Sequence, residues 1–511
     1  MKSNRKNLIL LMNSLLMGSL TFTACDKTED PTKTVIVPNY TLNFSGVVNG
    51  EKIDCGQTYT AIGKSSSSVE VKDVRFYIHD IELMTADGSS AMLEVKNDDE
   101  FQLRYKKSDG TVGSLVLIDF TGDNSDLCAE RGTPALHTAV TGLAPEAEYT
   151  SVRFRLGVPD ELNHVDAASA AAPLNAYGMQ WTWTSGYRHM RIDVKATTGE
   201  KEKETYFFHP GAQGCKSTSG DVSGPYSCSY NINPQFELSL SPDSQAIEFD
   251  LARFYAQDDL NRGKGCMFIN NIPDLQDAPS PVDAVAMANG CNEMFAAIGM
   301  VLPANTTDPT ATPTVTTQTA FRVVEATVSN PSEVNRTSVA DLSIVDPFGW
   351  PHPDYERNPS LDISAVSVAG EAKSHPPGDA RYGANCMKCH QINGPGKGQY
   401  VIGGTVYDED GKTWTDGGLI EIVTAERGYP RRPDIPLAEK LDNFEVKYRL
   451  PVDANGQFYA TSVPELDYQK ESYFVRILDT DEALKMVMPI APSGACNHCH
   501  STGFQIKIPR D

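Results

Sequence analysis

A chain of 511 residues with 40% apolar content is long enough for about three domains, each with an ordinary core. Its 44 basic and 67 acidic residues give a formal charge of −23, which repels phosphate backbones and anionic lipid heads, excludes nucleic acid as an expected partner and favours basic or cationic ones. Beyond the N-terminal leader no stretch reaches the roughly 18 apolar residues that a spanning helix needs.

Lys2, Arg5 and Lys6 precede an apolar run from Leu8 to Leu20, followed by Phe22-Thr23-Ala24-Cys25, and this reads as a signal peptide over 1–24. The small residues before Cys25 resemble the lipobox of bacterial lipoproteins. That resemblance implies lipidation of Cys25, a polar tether over 25–38, and a mature chain in the cell envelope on its periplasmic or cell-surface side. Loss of the leader removes three positive charges and no acid, taking −23 to −26. Of 11 cysteines, Cys25 goes to lipid and four lie in two C-x-x-C-H motifs. The remaining Cys55, Cys128, Cys215, Cys228, Cys266 and Cys291 are an even set outside the cytosol and suggest disulfides. Proximity alone favours Cys55–Cys128, Cys215–Cys228 and Cys266–Cys291.

From residue 39 to 328 apolar residues recur with period two. Examples are Tyr40, Leu42 and Phe44; Val74, Phe76 and Ile78; Val152, Phe154, Leu156 and Val158; Met190, Ile192 and Val194; Phe236, Leu238 and Leu240; and Ile247, Phe249 and Leu251. Turn signals such as Asn49-Gly50 and Asp87-Gly88 separate the runs. Alternation of this kind predicts half-buried antiparallel strands, hence a mainly β protein with a large β-sandwich. Asn292–Gly299 reads as a short helix, and 303–318, rich in Pro and Thr, as a long loop before a strand at Phe321–Val328.

Trp181 and Trp183 stand two apart, so on a strand both indoles share a face. Paired aromatics on a strand are commonly core. Imidazole is a natural copper ligand, and His189 and His209 are the nearest candidates, with His164 a third. A two-residue hairpin at Ser185-Gly186 would set Thr182 opposite His189 and turn His189 away from both tryptophans, whereas a three-residue turn would set Trp181 opposite it. His209 is therefore preferred. His79 and His137 read as structural or surface residues. The blocks FSGVVNGEKIDCGQTY, VKDVRFYIHDIEL, RFRLGVPDELNH, PLNAYGMQWTWTSGYRHMRIDV, FFHPGAQGC and GCMF…CNEMFAAIGM, in this order over about 40–325, resemble the MbnP-like family. The resemblance implies a copper-associated periplasmic protein. It also implies that a separate MauG-like di-haem oxidase converts one tryptophan of the W-x-W motif to kynurenine, which then helps to hold the metal.

Residues 329–377 are polar and Pro-rich and read as a linker, followed at 378–511 by a smaller region with a motif at each end. CMKCH (386–390) and CNHCH (496–500) each offer two thiols for haem vinyl groups and a histidine for iron. Cys386, Cys389, Cys496 and Cys499 would attach two haems c, with His390 and His500 as axial ligands. A zinc site on the four thiolates would leave both histidines without a role, and a thioredoxin-like pair calls for a βαβ setting that is absent. Met488 and His375 are the preferred distal ligands; His352, His498 and Met486 are further candidates. Between the motifs, strands at Val401–Val406, Leu419–Val423 and Phe458–Ala460 predict a β-insert at about 400–480, and GGTVYDEDGK with DANGQFYA resembles a small prealbumin-like sandwich.

Three functions compete. The first is a redox lipoprotein that pairs a copper-binding β-domain with a di-haem module serving a redox partner protein. The second is an electron carrier whose β-domain only docks partners, and the third is a haem enzyme with one open distal site. The haem region is shorter than a MauG-like peroxidase, so electron transfer and metal binding are expected rather than catalysis.

Overall fold

The computed structural model describes most of residues 36–268 and 291–325 and parts of 337–347, 375–460 and 473–508, all within one compact unit. Cys25, Trp183, His352, Cys389, Met486, Met488, His498, Cys499 and His500 lie outside the described residues. The described chain is mainly β, as the alternation predicts.

A six-stranded sheet contains the strands Asn39–Val48, Gln245–Asp250 and Phe321–Glu325, and a ten-stranded sheet is built on the long strand Ser67–Thr85. The inward residues of both sheets make one core. Phe76, at its centre, meets Phe44, Phe120, Phe249 and Phe321 with ring centres 5.6 to 6.4 Å apart, each such pair worth about 0.5–1.5 kcal/mol beyond its buried area. Most pairings are antiparallel. Parallel ones join Gln245–Asp250 to Asn39–Val48 and Thr205–Pro210 to Cys266–Phe268. Both partners are brought together by long connections, and a long connection leaves strand direction open.

Alternation predicts one wet face for each strand, yet the middle of Ser67–Thr85 is buried on both. The outer face is covered by a second apolar layer in which Tyr77 packs with Leu103, Leu117, Leu162, Leu174 and Tyr187. Much of this cover comes from the irregular segment 157–179, whose sequence has no strand period. The polar residues of the outer face are consequently buried and must pair with one another.

Disulfides join Cys55 to Cys128, Cys215 to Cys228 and Cys266 to Cys291, the pairs that proximity suggested. The last of these ties the helix Cys291–Ala297 to the strand Cys266–Phe268. Within the stretch read as linker, Ile36–Val37 pairs with Thr337–Ser338, and the Val345 amide donates to the Arg104 carbonyl at 2.8 Å. The Ala171 amide donates to the Pro347 carbonyl at 3.1 Å, so residues around 342–347 run along the β-domain.

In the C-terminal region a three-stranded sheet holds Ile402–Asp408, Gln457–Ala460 and Ile506–Ile508, and a four-stranded sheet is centred on Leu419–Ala425. Ile402, Val406, Trp414, Ile420, Ile422, Leu450 and Phe458 fill the core they share. Among the described residues no helix is long and apolar enough to cross a membrane.

Candidate metal centre and haem cleft

The outer face of the large sheet carries Asp73, Arg75, Tyr77 and His79 from the long strand. In the adjacent strand Arg191 lies opposite Arg75 and Asp193 opposite Asp73. Arg75, fully buried, grips Asp73 with two bonds, Nε–Oδ1 at 2.7 Å and Nη2–Oδ2 at 2.6 Å. Arg191 Nε bridges Asp73 at 3.2 Å and Asp193 at 2.8 Å. Asp193 then accepts from His209 Nε2 at 2.7 Å. Each buried charge is thus compensated, and the chain of contacts ends on an imidazole.

That last bond fixes the His209 tautomer: Nε2 carries the proton and Nδ1 the lone pair. His189 is arranged the other way round, with Nδ1 donating to the Ile232 carbonyl at 2.8 Å and Nε2 left as the lone-pair nitrogen. Burial, reinforced by the neighbouring His79 and His164 and opposed by the Ile232 bond, pushes His189 down to about 4. Burial also lowers His209, against the pull of Asp193. Both rings are therefore neutral at neutral pH, the form that ligates metals. Among the described residues, His189 Nε2, His209 Nδ1 and Trp181 Nε1 are all buried without a hydrogen-bond partner.

These three residues converge on one short stretch. The His189 amide donates to the Pro210 carbonyl at 2.7 Å. A Cβ on Gly211 would stand 2.5 Å from Cζ3 of Trp181, so the indole lies directly on the backbone that follows His209. Arg188 sits 5.0 Å from the centre of the Trp181 ring and donates to the Gly178 and Gln180 carbonyls.

The expected hairpin registers are both corrected. Gln180 pairs with Tyr187 and Thr182 with Gly186 across an irregular step, so neither Thr182 nor Trp181 faces His189. His189 lies beyond the ribbon, at the entrance to Met190–Ala196, and belongs to the main sheet. The argument that turned it away from the tryptophan thus loses its premise. His164 stacks on Tyr226 at 4.0 Å and lies 3.9 Å from Cys228 Sγ. It forms a ligand-type cluster with Cys215 and Cys228, whose sulfurs are bonded to each other.

His79 is buried, as a structural residue, and its partner Asn233 was not singled out in the sequence. Asn233 Nδ2 lies 3.0 Å from His79 Nε2 and donates to the Val158 carbonyl at 3.1 Å. A Cβ on Gly157, at φ +107°, would strike both His189 Nδ1 at 2.5 Å and Asn233 Nδ2 at 2.8 Å, so only glycine lets the chain pass. The signal available was the run Arg75, Tyr77, His79, three large polar-tipped residues on one face of a strand whose other face is apolar. His137 is structural, bonded to the Leu117 carbonyl at 2.7 Å and stacked on Phe101 at 4.5 Å.

In the C-terminal region His390 stacks on Tyr400 at 4.0 Å, and Tyr400 on Tyr459 at 4.6 Å. His375 faces His390, and the two border a small open cleft also lined by Cys386, Tyr400, Phe458 and Tyr459. Cys386 and Cys496 pack against consecutive residues of one strand. A Cβ on Gly403 would lie 3.2 Å from that of Cys386, and one on Gly404 would lie 2.9 Å from that of Cys496. The two motifs, more than 100 residues apart in sequence, therefore begin at successive residues of that strand, whose Cβ positions point to opposite faces.

Residues 37–268 match the family model MbnP; the match ends before residue 325, where the sequence resemblance stops. Among solved structures the chain is similar to MbnP from Methylosinus trichosporium, at 24% identity and a TM-score of 0.44, over 57% of this chain and 100% of that one. No curated protein matches.

Proposed function

We propose that this protein is an exported lipoprotein joining a copper-binding MbnP domain to a two-haem c-type electron-transfer region. The observation that carries the copper reading is that Trp181 Nε1, His189 Nε2 and His209 Nδ1 are each buried without a hydrogen-bond partner among the described residues, on three residues whose backbone or ring meets the chain at 209–211. A native interior rarely leaves such atoms unpaired without an ion, a water or a chemical role to account for them. His189 and His209 offer neutral imidazole, and each is held through its other nitrogen, by the Ile232 carbonyl and by Asp193, as metal-ligating histidines commonly are. Oxidation of Trp181 or Trp183 to kynurenine by a separate MauG-like oxidase would replace an indole N–H, which only donates, with an aromatic amine and a ketone that can bind metal.

The haem reading rests on the two C-x-x-C-H motifs and is supported by the aromatic cleft beside Cys386 and His390. Haem would supply one-electron transfer. Cys386 and Cys389 would hold it through thioethers, beside the aromatic residues Tyr400, Phe458 and Tyr459. Lipidation of Cys25 would keep the assembly in the cell envelope, within reach of a redox partner.

Intact and peptide mass of the mature protein, with metal analysis, tests both halves. Two covalent haems, a lipid at Cys25 and a gain of roughly 4 Da on a tryptophan of the W-x-W pair are expected, with copper lost in His189→Ala and His209→Ala. Absence of covalent haem sinks the cytochrome half. Copper binding unchanged in both histidine variants sinks the site.

A further inference from the structure

His375 lies 11 residues before the first haem motif, in a stretch with no strand or helix period, yet its backbone is fixed at two points. Its amide donates to Gln457 Oε1 at 2.9 Å, and its carbonyl accepts from Gln457 Nε2 at 3.1 Å. A single buried amide side chain thus clamps one residue at both its N–H and its C=O, which sets where the imidazole emerges. Asp379, one turn on, places Oδ2 3.7 Å from His375 Nδ1. That is beyond hydrogen-bond distance, and the same oxygen is held by Arg381 Nη2 at 2.6 Å, so the carboxylate lies beside the ring without fixing its tautomer.

The ring of His375 stands 6.3 Å from that of His390, centre to centre. A metal–imidazole bond of about 2.0 Å puts the ring centre about 3.1 to 3.2 Å from the ion, so two imidazoles on opposite sides of one metal lie about 6.3 Å apart. His390 is held in place from its other side by Tyr400, stacked within 7° of parallel. The cleft between the two histidines is walled by Cys386, Tyr400, Phe458 and Tyr459.

From this geometry we infer that His375 is the second axial ligand of the haem attached at Cys386 and Cys389, with Gln457 as its positioning residue, so that this haem is closed on both sides. The inference rests on the haem reading above. It assigns that haem to electron transfer and withholds it from peroxide or oxygen chemistry, because no coordination position is left for a substrate.

The test uses the full-length haem-loaded protein with peptide mass to confirm attachment at both motifs. In wild type the ferric iron of this haem is low-spin and unaffected by millimolar imidazole or cyanide. In His375→Ala about half of the total haem iron should become high-spin, and added imidazole should return it to low-spin. His375→Met should keep six coordination while acquiring a sulfur-to-iron absorption band, which separates ligand exchange from misfolding. Gln457→Ala should give a smaller high-spin fraction that imidazole also removes. An unchanged spin state in His375→Ala with both haems attached overturns the ligand assignment, as does the same high-spin conversion produced by Met488→Ala instead. Lack of covalent haem at Cys386 and Cys389 overturns the underlying reading and is seen separately, in the mass.

Discussion

Gly404 lies so close to Cys496 that a Cβ on the glycine would stand 2.9 Å from that of the cysteine, and it would stand 2.5 Å from Cζ of Phe458. The neighbouring Gly403 has more room, 3.2 Å from Cys386. Overpacking of this kind costs about 1–3 kcal/mol where neighbours cannot move. Gly404→Ala should therefore lower the unfolding midpoint and reduce haem attachment at the second motif, whereas Gly403→Ala should do less of both. Thermal melts and haem count per chain measure this. A Gly404→Ala protein with wild-type melting and two haems would show that the strand shifts freely at that point.

Asp193 is the link between the buried ion-pair network and His209, accepting Nε2–H at 2.7 Å while Arg191 holds its other oxygen at 2.8 Å. Removing the carboxylate charge frees the ring to rotate or change tautomer. Asp193→Asn should weaken copper binding about 10–100-fold, read by competition with a chromogenic chelator, with the fold checked by circular dichroism. An affinity within twofold of wild type would place His209 outside the copper site.

Asp119 predicts a pH effect of definite sign. It is fully buried, and although Thr121 and Gly122 amides donate to it at 2.7 and 2.9 Å, burial dominates. Arg75 pulls the other way and Asp73 adds to the rise, leaving the carboxyl raised to about 6. A folded-state value above the unfolded one means stability that is complete below about pH 4 and is lost as pH rises through about 6, a span of about 3 kcal/mol. Asp119→Asn cannot ionise, so urea unfolding at about pH 4 and pH 7 should show that contribution missing from the variant. The same pH dependence in both proteins would mean that other groups carry it.

How far the sequence disclosed all this depends on period. Where one face of a strand is apolar, as in Val74, Phe76 and Ile78, the pattern reads directly because burial alone sets it. The outer face could not be read so, because Arg75, Tyr77 and His79 look solvated until the irregular chain of 157–179 covers them. The copper candidates His189 and His209 were legible from chemistry and proximity to the W-x-W motif, but not their geometry. The hairpin argument assumed regular pairing through to His189, whereas the ribbon ends at Tyr187 and the chain changes sheets. Asn233 carried no signal, since its role comes from tertiary placement against His79. In the C-terminal region the C-x-x-C-H motifs are plain in the sequence, yet the meeting of Cys386 and Cys496 with successive residues of one strand depends on Gly403 and Gly404, which as sequence read only as part of a strand.

The disulfides differ in what they constrain. Cys55–Cys128 closes 73 residues and Cys215–Cys228 closes 13. In the chain-entropy description the longer loop stabilises by about 1.5 kcal/mol more, because it removes more freedom from the unfolded chain. Local contacts push the same way. Cys128 Sγ lies 3.3 Å from the Thr121 carbonyl, next to the turn that Asp119 organises. Cys215 and Cys228, by contrast, face each other across a paired ribbon that keeps its backbone bonds without them. The double variant Cys55→Ser/Cys128→Ser should therefore unfold at lower urea than Cys215→Ser/Cys228→Ser, by an amount equal to about 1.5 kcal/mol or more. Equal midpoints, or the reverse order, would mean that the short ribbon draws its stability from its sulfur bridge, and that His164, 3.9 Å from Cys228, is held in place through it.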